Sequence, residues 1–155
     1  MQPLRPPLDL ASAWFADGYD DLAGYHEDRL DRQRYGRDSS SVVLTAERAL
    51  ERWQPGYRAL LFNSGMSACS AILDVLDGPL WLPKECYRKM DWLAGKHRAN
   101  TYGTISDADP HGTVWAETPS NPHLRLADYE ALGQYRGNVV LDLTLAGLGN
   151  WYGGA

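Results

Sequence analysis

Three short apolar runs, "PLWLP" (79–83), "TVWAE" (113–117) and "NVVLD" (138–142), recur along this chain with helix-patterned segments around them. That alternation constrains the fold more than any other feature. Each run has strand length, whereas "NSGMSACSAILDVL", "CYRKMDWLAG" and "LADYEALGQY" are longer, carry spaced apolar residues and begin or end on small or glycine residues. "RALLF" (58–62) and "ANTYG" (99–103) read as two further strands, and "LTAERALERW" as a helix with Leu44, Ala46, Leu50 and Trp53 available for one face. Strands separated by helices are joined by crossovers, so the expected fold is α/β: a mainly parallel sheet flanked by helices, with "NVVLD" buried within it.

The amino-terminal segment reads differently. Residues 1–43 are polar and include "EDRLDRQRYGRDSSS", which has neither helical nor strand period, and they are expected to form an extended arm. Residues 44–155 then form the α/β domain. A hydrophobic share of 44% with 23% charged residues is that of a globular chain, and a net charge of -5 argues against a nucleic-acid or anionic-membrane surface. Cys69 and Cys86 lack paired metal-ligand spacing and any secretory leader, so both are expected to be reduced, buried thiols of a cytoplasmic protein. No apolar run has the length of a membrane span, and the histidines are too scattered for a zinc site.

Ligands of open α/β sheets bind beyond the carboxyl ends of the strands, so the residues just after each apolar run are the candidates. Asn63-Ser64-Gly65-Met66 opens a helix after "RALLF"; it reads either as a plain cap or as an anion site at the helix start. Tyr87 is either packing or a ring that stacks on a flat ligand. In "ETPSNP" (117–122) the two prolines brace a turn around Asn121, whose amide both donates and accepts. Asp142 ends an apolar run where an unpaired charge is costly, and it calls for a cationic partner. One ligand uses all four positions: an aromatic cation with a phosphate tail, as in pyridoxal phosphate, whose protonated ring is an electron sink for a substrate carbanion.

The order "YGR" (35–37), "ALLFNSGMSA" (59–68), "CY" (86–87), "ETPSNP" (117–122) and "VVLDLT" (139–144) resembles the amino-terminal half of the Cys/Met-metabolism pyridoxal-phosphate enzymes. Cystathionine synthases and lyases, methionine γ-lyase and sulfhydrylases belong to that family. The resemblance implies part of a fold-type-I large domain, with Ser64, Gly65 and Met66 at the cofactor phosphate and Tyr87 over the ring. It places Asn121 at the ring oxygen, Asp142 at the ring nitrogen, and Thr144 in the same motif, with Tyr87 and Asp142 as the catalytic members. Tyr35 and Arg37 match a Tyr-x-Arg pair that reaches a neighbouring subunit's phosphate, which makes the arm an inter-subunit contact. Departures at Ser39–Ser41, Arg88–Met90 and Leu143 bear on substrate preference more than on the cofactor.

The resemblance also implies a cofactor-bearing lysine well beyond Asp142, and none of Lys84, Lys89 and Lys96 matches its motif. The expected function is therefore one subunit of a split, heteromeric enzyme for β- or γ-elimination or replacement on an amino acid. A partner chain supplies the lysine and the carboxyl-terminal domain, and this chain is inactive alone. The alternatives are a lysine-free binding or regulatory module of the same descent, or an inactive fragment. Six Trp and nine Tyr suit a chain that buries surface against a partner, and an uncovered strand edge is expected.

Overall fold

The computed structural model describes residues 40–53 and 55–147, which fall into two compact units divided between Leu61 and Phe62. Tyr35 and Arg37, with nearly all of the expected arm, lie outside the described residues.

In the first unit, helix α1 (Ser41–Trp53) is capped by Ser40, whose Oγ accepts the Val43 N–H at 3.3 Å. Its inner stripe runs through Leu44 and Glu47 to Glu51, and Trp53, expected on that face, is 65% exposed. The carboxylates explain the difference. Glu47 accepts the Leu61 N–H at 2.8 Å and Glu51 accepts the Ala59 N–H at 3.1 Å, so the stripe turns acids toward backbone donors. Arg58 adds an ion pair with Glu51 at 3.4 Å. "RALLF" accordingly forms no strand: carboxylates hold the alternate amides that a neighbouring strand would take, and it pairs with no strand among the described residues.

The second unit runs α2 (Gly65–Val75), β1 (Leu80–Pro83), α3 (Arg88–Gly95), β2 (Asn100–Tyr102), a 3₁₀ turn (Ile105–Asp107), β3 (Thr113–Glu117), α4 (Tyr129–Gln134) and β4 (Asn138–Asp142). The four strands are parallel in the order β2-β1-β3-β4, with Trp81 opposite Asn100 and Val114, and Glu117 opposite Asp142. Strand alternation sorts the core into two layers. Leu80, Leu82 and Trp115 pack with Leu73 of α2 and Met90, Leu93 and Ala94 of α3 on one face; Val114 and Ala116 pack with Tyr102, Ala108 and Leu132 of α4 on the other. Burying a side chain such as Leu82, which is 2% exposed, contributes about 1.5–3 kcal/mol. Gly112 turns into β3 where a Cβ would meet the Pro79 carbonyl oxygen at 2.7 Å.

Every residue of β3 is buried, as a central parallel strand requires. β4, expected to be buried too, is instead an edge: Asn138 and Val139 are exposed and the rest half-buried. The Asn138 N–H donates to Gly112 O at 3.0 Å and Asp142 O accepts from Thr118 at 3.0 Å, so the even-numbered residues face β3. Val139 and Leu141 turn their N–H and C=O groups outward, where no strand lies among the described residues.

Candidate functional site

Because all four strands point the same way, their carboxyl ends gather the segments that follow them, and the helix starts of α2 and α3 lie on the Trp115 side of the sheet. At α2, Ser64 is the N-cap in extended conformation; its Oγ accepts the Ser67 N–H at 3.1 Å, and the Ser67 hydroxyl donates to Asn63 Oδ1 at 2.7 Å. Ser64 is therefore engaged in shaping the turn. The first-turn amides of Gly65 and Met66 have no carbonyl one turn back to bond, and a Cβ at Gly65 would meet nothing within 4 Å. That leaves open approach to a helix start, the geometry that suits an anion.

Tyr87 begins α3 as its N-cap, with its carbonyl accepting from Met90 at 2.8 Å. Its ring is 41% exposed and free to stack. The Tyr87 backbone N–H donates to Glu117 Oε2 at 2.7 Å. Glu117, the last residue of β3, is buried, and the backbone amide of Asn121 also acts on its carboxylate. Burial foremost raises its pKa above the ordinary glutamate value; the Tyr87 and Asn121 amides pull it down, and the charge of Asp142 pushes it up.

The turn after β3 is braced from within. Thr118 is fully buried, with Oγ1 accepting the Ala127 N–H at 3.2 Å and meeting the Tyr129 hydroxyl at 3.2 Å. Ser120 exchanges bonds with Arg125, N–H to carbonyl at 2.9 Å and Oγ from N–H at 3.2 Å. The peptide bonds before Pro119 and Pro122 are both cis. Asn121 sits half-buried between them. Asp142 closes β4, half-buried, with Oδ1 accepting the Thr144 N–H at 3.0 Å and its hydroxyl at 2.6 Å. Thr144 thus orients the carboxylate. Among the described residues no cationic side chain pairs with Asp142, and its charge, after burial, raises the thiol pKa of Cys69 on α2.

Tyr87, Asn121 and Asp142 with Thr144 follow or close the carboxyl ends of β1, β3 and β4, whereas Ser64, Gly65 and Met66 open α2 after a segment that forms no strand. Tyr87 and Asn121 meet through Glu117, and register places Asp142 beside it. Glu117 is the residue that strand-end reading missed, although it ends an apolar run just as Asp142 does. Cys69 and Cys86 are half-buried rather than buried. Of the lysines, Lys84 lines a cleft of about 430 Å³ together with Glu117, Arg125 and Asp128, Lys89 is exposed on α3, and Lys96 lies over the Trp92 ring at 4.0 Å.

A parallel α/β sheet with a glycine-opened helix start, an exposed tyrosine, a braced asparagine and a strand-end carboxylate on one edge defines a fold-type-I cofactor domain in part. The comparisons agree. Cystathionine γ-synthase of Mycobacterium leprae is 27% identical over 160 residues, covering 90% of this chain and 39% of that protein. Cystathionine γ-synthase of Escherichia coli is 32% identical over 140 residues, covering 79% of this chain and 34% of that protein. The metB crystal structure from Corynebacterium glutamicum superposes with a TM-score of 0.75 at 17% identity, covering 91% of this chain and 40% of that one. No family model matches the chain. The chain is similar to the amino-terminal part of the transsulfuration family of pyridoxal-phosphate enzymes, spanning about a third to two fifths of the length of these curated relatives.

Proposed function

We propose that this chain binds and polarises pyridoxal phosphate as one subunit of a split, heteromeric enzyme that carries out β- or γ-elimination or replacement on an amino acid. The observation that carries the reading is the position of Asp142: among the described residues its carboxylate has no cationic partner, and the outer edge of its strand pairs with no other strand. The residues fit the cofactor. The open start of α2 suits the phosphate, the exposed Tyr87 ring suits the pyridine face, and Asp142 suits a protonated ring nitrogen.

When bound, the cofactor supplies an electron sink for charge developing at the substrate α-carbon. Asp142 would hold the proton on the ring nitrogen, its carboxylate oriented by Thr144. Tyr87 would cover one ring face and the Asn121 amide would meet the ring oxygen. On this reading the lysine comes from a second chain, since none of Lys84, Lys89 and Lys96 matches the family's lysine motif. That chain adds the next strand along Val139 and Leu141 and makes the assembly a hetero-oligomer; we place the complex in the cytoplasm. Among the described residues no helix is long and apolar enough to cross a membrane.

Co-expression with the product of the adjacent gene tests the reading. The expected result is a heteromer that eliminates or replaces a side-chain group on an amino acid only when both chains are present. Turnover by this chain alone would overturn the partner-lysine assignment. A neighbouring chain that binds but lacks the lysine would favour a non-catalytic module.

A further inference from the structure

The buried carboxylate of Glu117 lies where three parts of the site converge, and none of the four strand-end positions explains it. Its Oε2 accepts the Tyr87 N–H at 2.7 Å, at the very residue that opens α3. The Asn121 backbone amide, in the turn after β3, also acts on this carboxylate, pulling its pKa down. Its strand neighbour is Asp142 in the β3–β4 register. Tyr87 and Asn121 are far apart in sequence and belong to different elements, so their spacing depends on what ties them.

We infer that Glu117 is a positioning residue that clamps the ring-stacking Tyr87 and the ring-oxygen Asn121 to the strand end carrying Asp142, setting the width of the slot for the ring. The inference rests on the cofactor reading above and adds a residue to it. An acceptor-only group suits the place, because the Tyr87 bond and the Asn121 amide both present backbone N–H donors and a carboxylate has no donor of its own to oppose them. Burial keeps water from competing for those donors, since Glu117 is 8% exposed. The phosphate end is independent of the clamp, because the start of α2 is held by its own bonds among Asn63, Ser64 and Ser67.

That independence supplies the test. Pyridoxal phosphate binding to the full chain is followed by tryptophan fluorescence quenching, and inorganic phosphate is titrated as a competitor. Glu117→Gln keeps one acceptor but sets an NH₂ against a backbone N–H, so it is expected to weaken pyridoxal phosphate about tenfold while the inhibition constant of inorganic phosphate stays within twofold. Equal affinity of a folded Glu117→Gln chain for pyridoxal phosphate would overturn the clamp alone. Failure of the unmodified chain to bind pyridoxal phosphate would overturn the cofactor reading and the clamp with it.

A measurement on the unmodified chain covers the case in which the variant does not fold. The backbone amide protons of Tyr87 and Asn121, followed by NMR against pH, are expected to shift with one shared midpoint above the ordinary glutamate value. The other titratable and charged groups around this carboxylate are Asp142 on β4, Cys69 on α2 and Cys86 before α3, with Lys84, Glu85, Tyr102, Arg125 and Asp128 lining the cleft that Glu117 also lines; burial raises both thiols well out of the carboxylate range. Separate midpoints for the two amides would refute the clamp.

Discussion

Replacing Asp142 by asparagine separates charge from shape at the strand end. In the native chain Oδ1 already serves Thr144 through two bonds, at 3.0 Å from its N–H and 2.6 Å from its hydroxyl. The amide of Asp142→Asn keeps that oxygen, so the local turn and the β3–β4 ladder should survive, with a change in stability below about 1 kcal/mol. What disappears is a negative charge facing the ligand. A hydrogen bond to a charged group is worth about 1.5–3 kcal/mol, and Asp142 is only half-buried, so the lower end applies: roughly tenfold weaker binding of pyridoxal phosphate. Removing the charge also relieves Glu117 and Cys69, whose pKa values should both fall toward their ordinary values. The assay combines fluorescence titration of the cofactor with ¹⁵N NMR of its ring nitrogen, which should lose its proton at neutral pH in the variant. In an assembled complex turnover should drop by orders of magnitude, because ring protonation is what makes the carbanion accessible. Unchanged affinity together with an unchanged ring-nitrogen pKa would show that Asp142 is not its partner. A variant that unfolds would instead identify the carboxylate as a structural acceptor for Thr144.

Tyr87→Phe leaves the stacking face and the backbone bond to Glu117 in place, so cofactor affinity should change less than about threefold in the same titration. Thr118→Val strips the acceptor from the Ala127 N–H at a fully buried position and should cost about 1–3 kcal/mol in urea unfolding, with proteolysis of the 118–127 turn as a second readout. Burial above all, then the charges of Asp91 and Glu117, pushes the Cys86 thiol from 9.0 up to about 11, so its alkylation by iodoacetamide at pH 8 should run roughly a hundredfold slower than that of an ordinary thiol. Because the folded state raises the Glu117 pKa, it holds that proton more tightly than the unfolded chain; this contribution to stability is complete below the ordinary glutamate value and is lost as pH rises through the folded pKa. Chemical denaturation across that window should show the slope, and Glu117→Gln should flatten it.

The elements that the sequence made legible are those whose signal is local. "PLWLP", "TVWAE" and "NVVLD" become β1, β3 and β4, and the glycine and small-residue stops bound α2 and α3 nearly where expected. "RALLF" has the same local signal and forms no strand, because a strand exists only with a neighbour, and here the acids of α1 hold its alternate amides. The same reasoning separates β4 from β3. Both runs are apolar, but only β3 has strands on each side, so it is buried throughout while Val139 is 37% exposed. Asp142 and Asn121 were visible as candidates because their side chains have chemistry of their own at the ends of apolar runs. Glu117 was not, because its role turns on the backbone N–H of Tyr87, thirty residues earlier in the chain, and no residue pattern announces a backbone donor. The consequence reaches the site itself. A turn braced by Thr118, Ser120 and Arg125 holds its own shape, and two ties link it toward α3: the half-exposed Arg125–Glu85 ion pair at 3.4 Å and the buried Glu117 carboxylate on the Tyr87 N–H. Of the two, the buried bond reaches Tyr87 itself, so the slot between Tyr87 and Asn121 should respond most to substitution of Glu117.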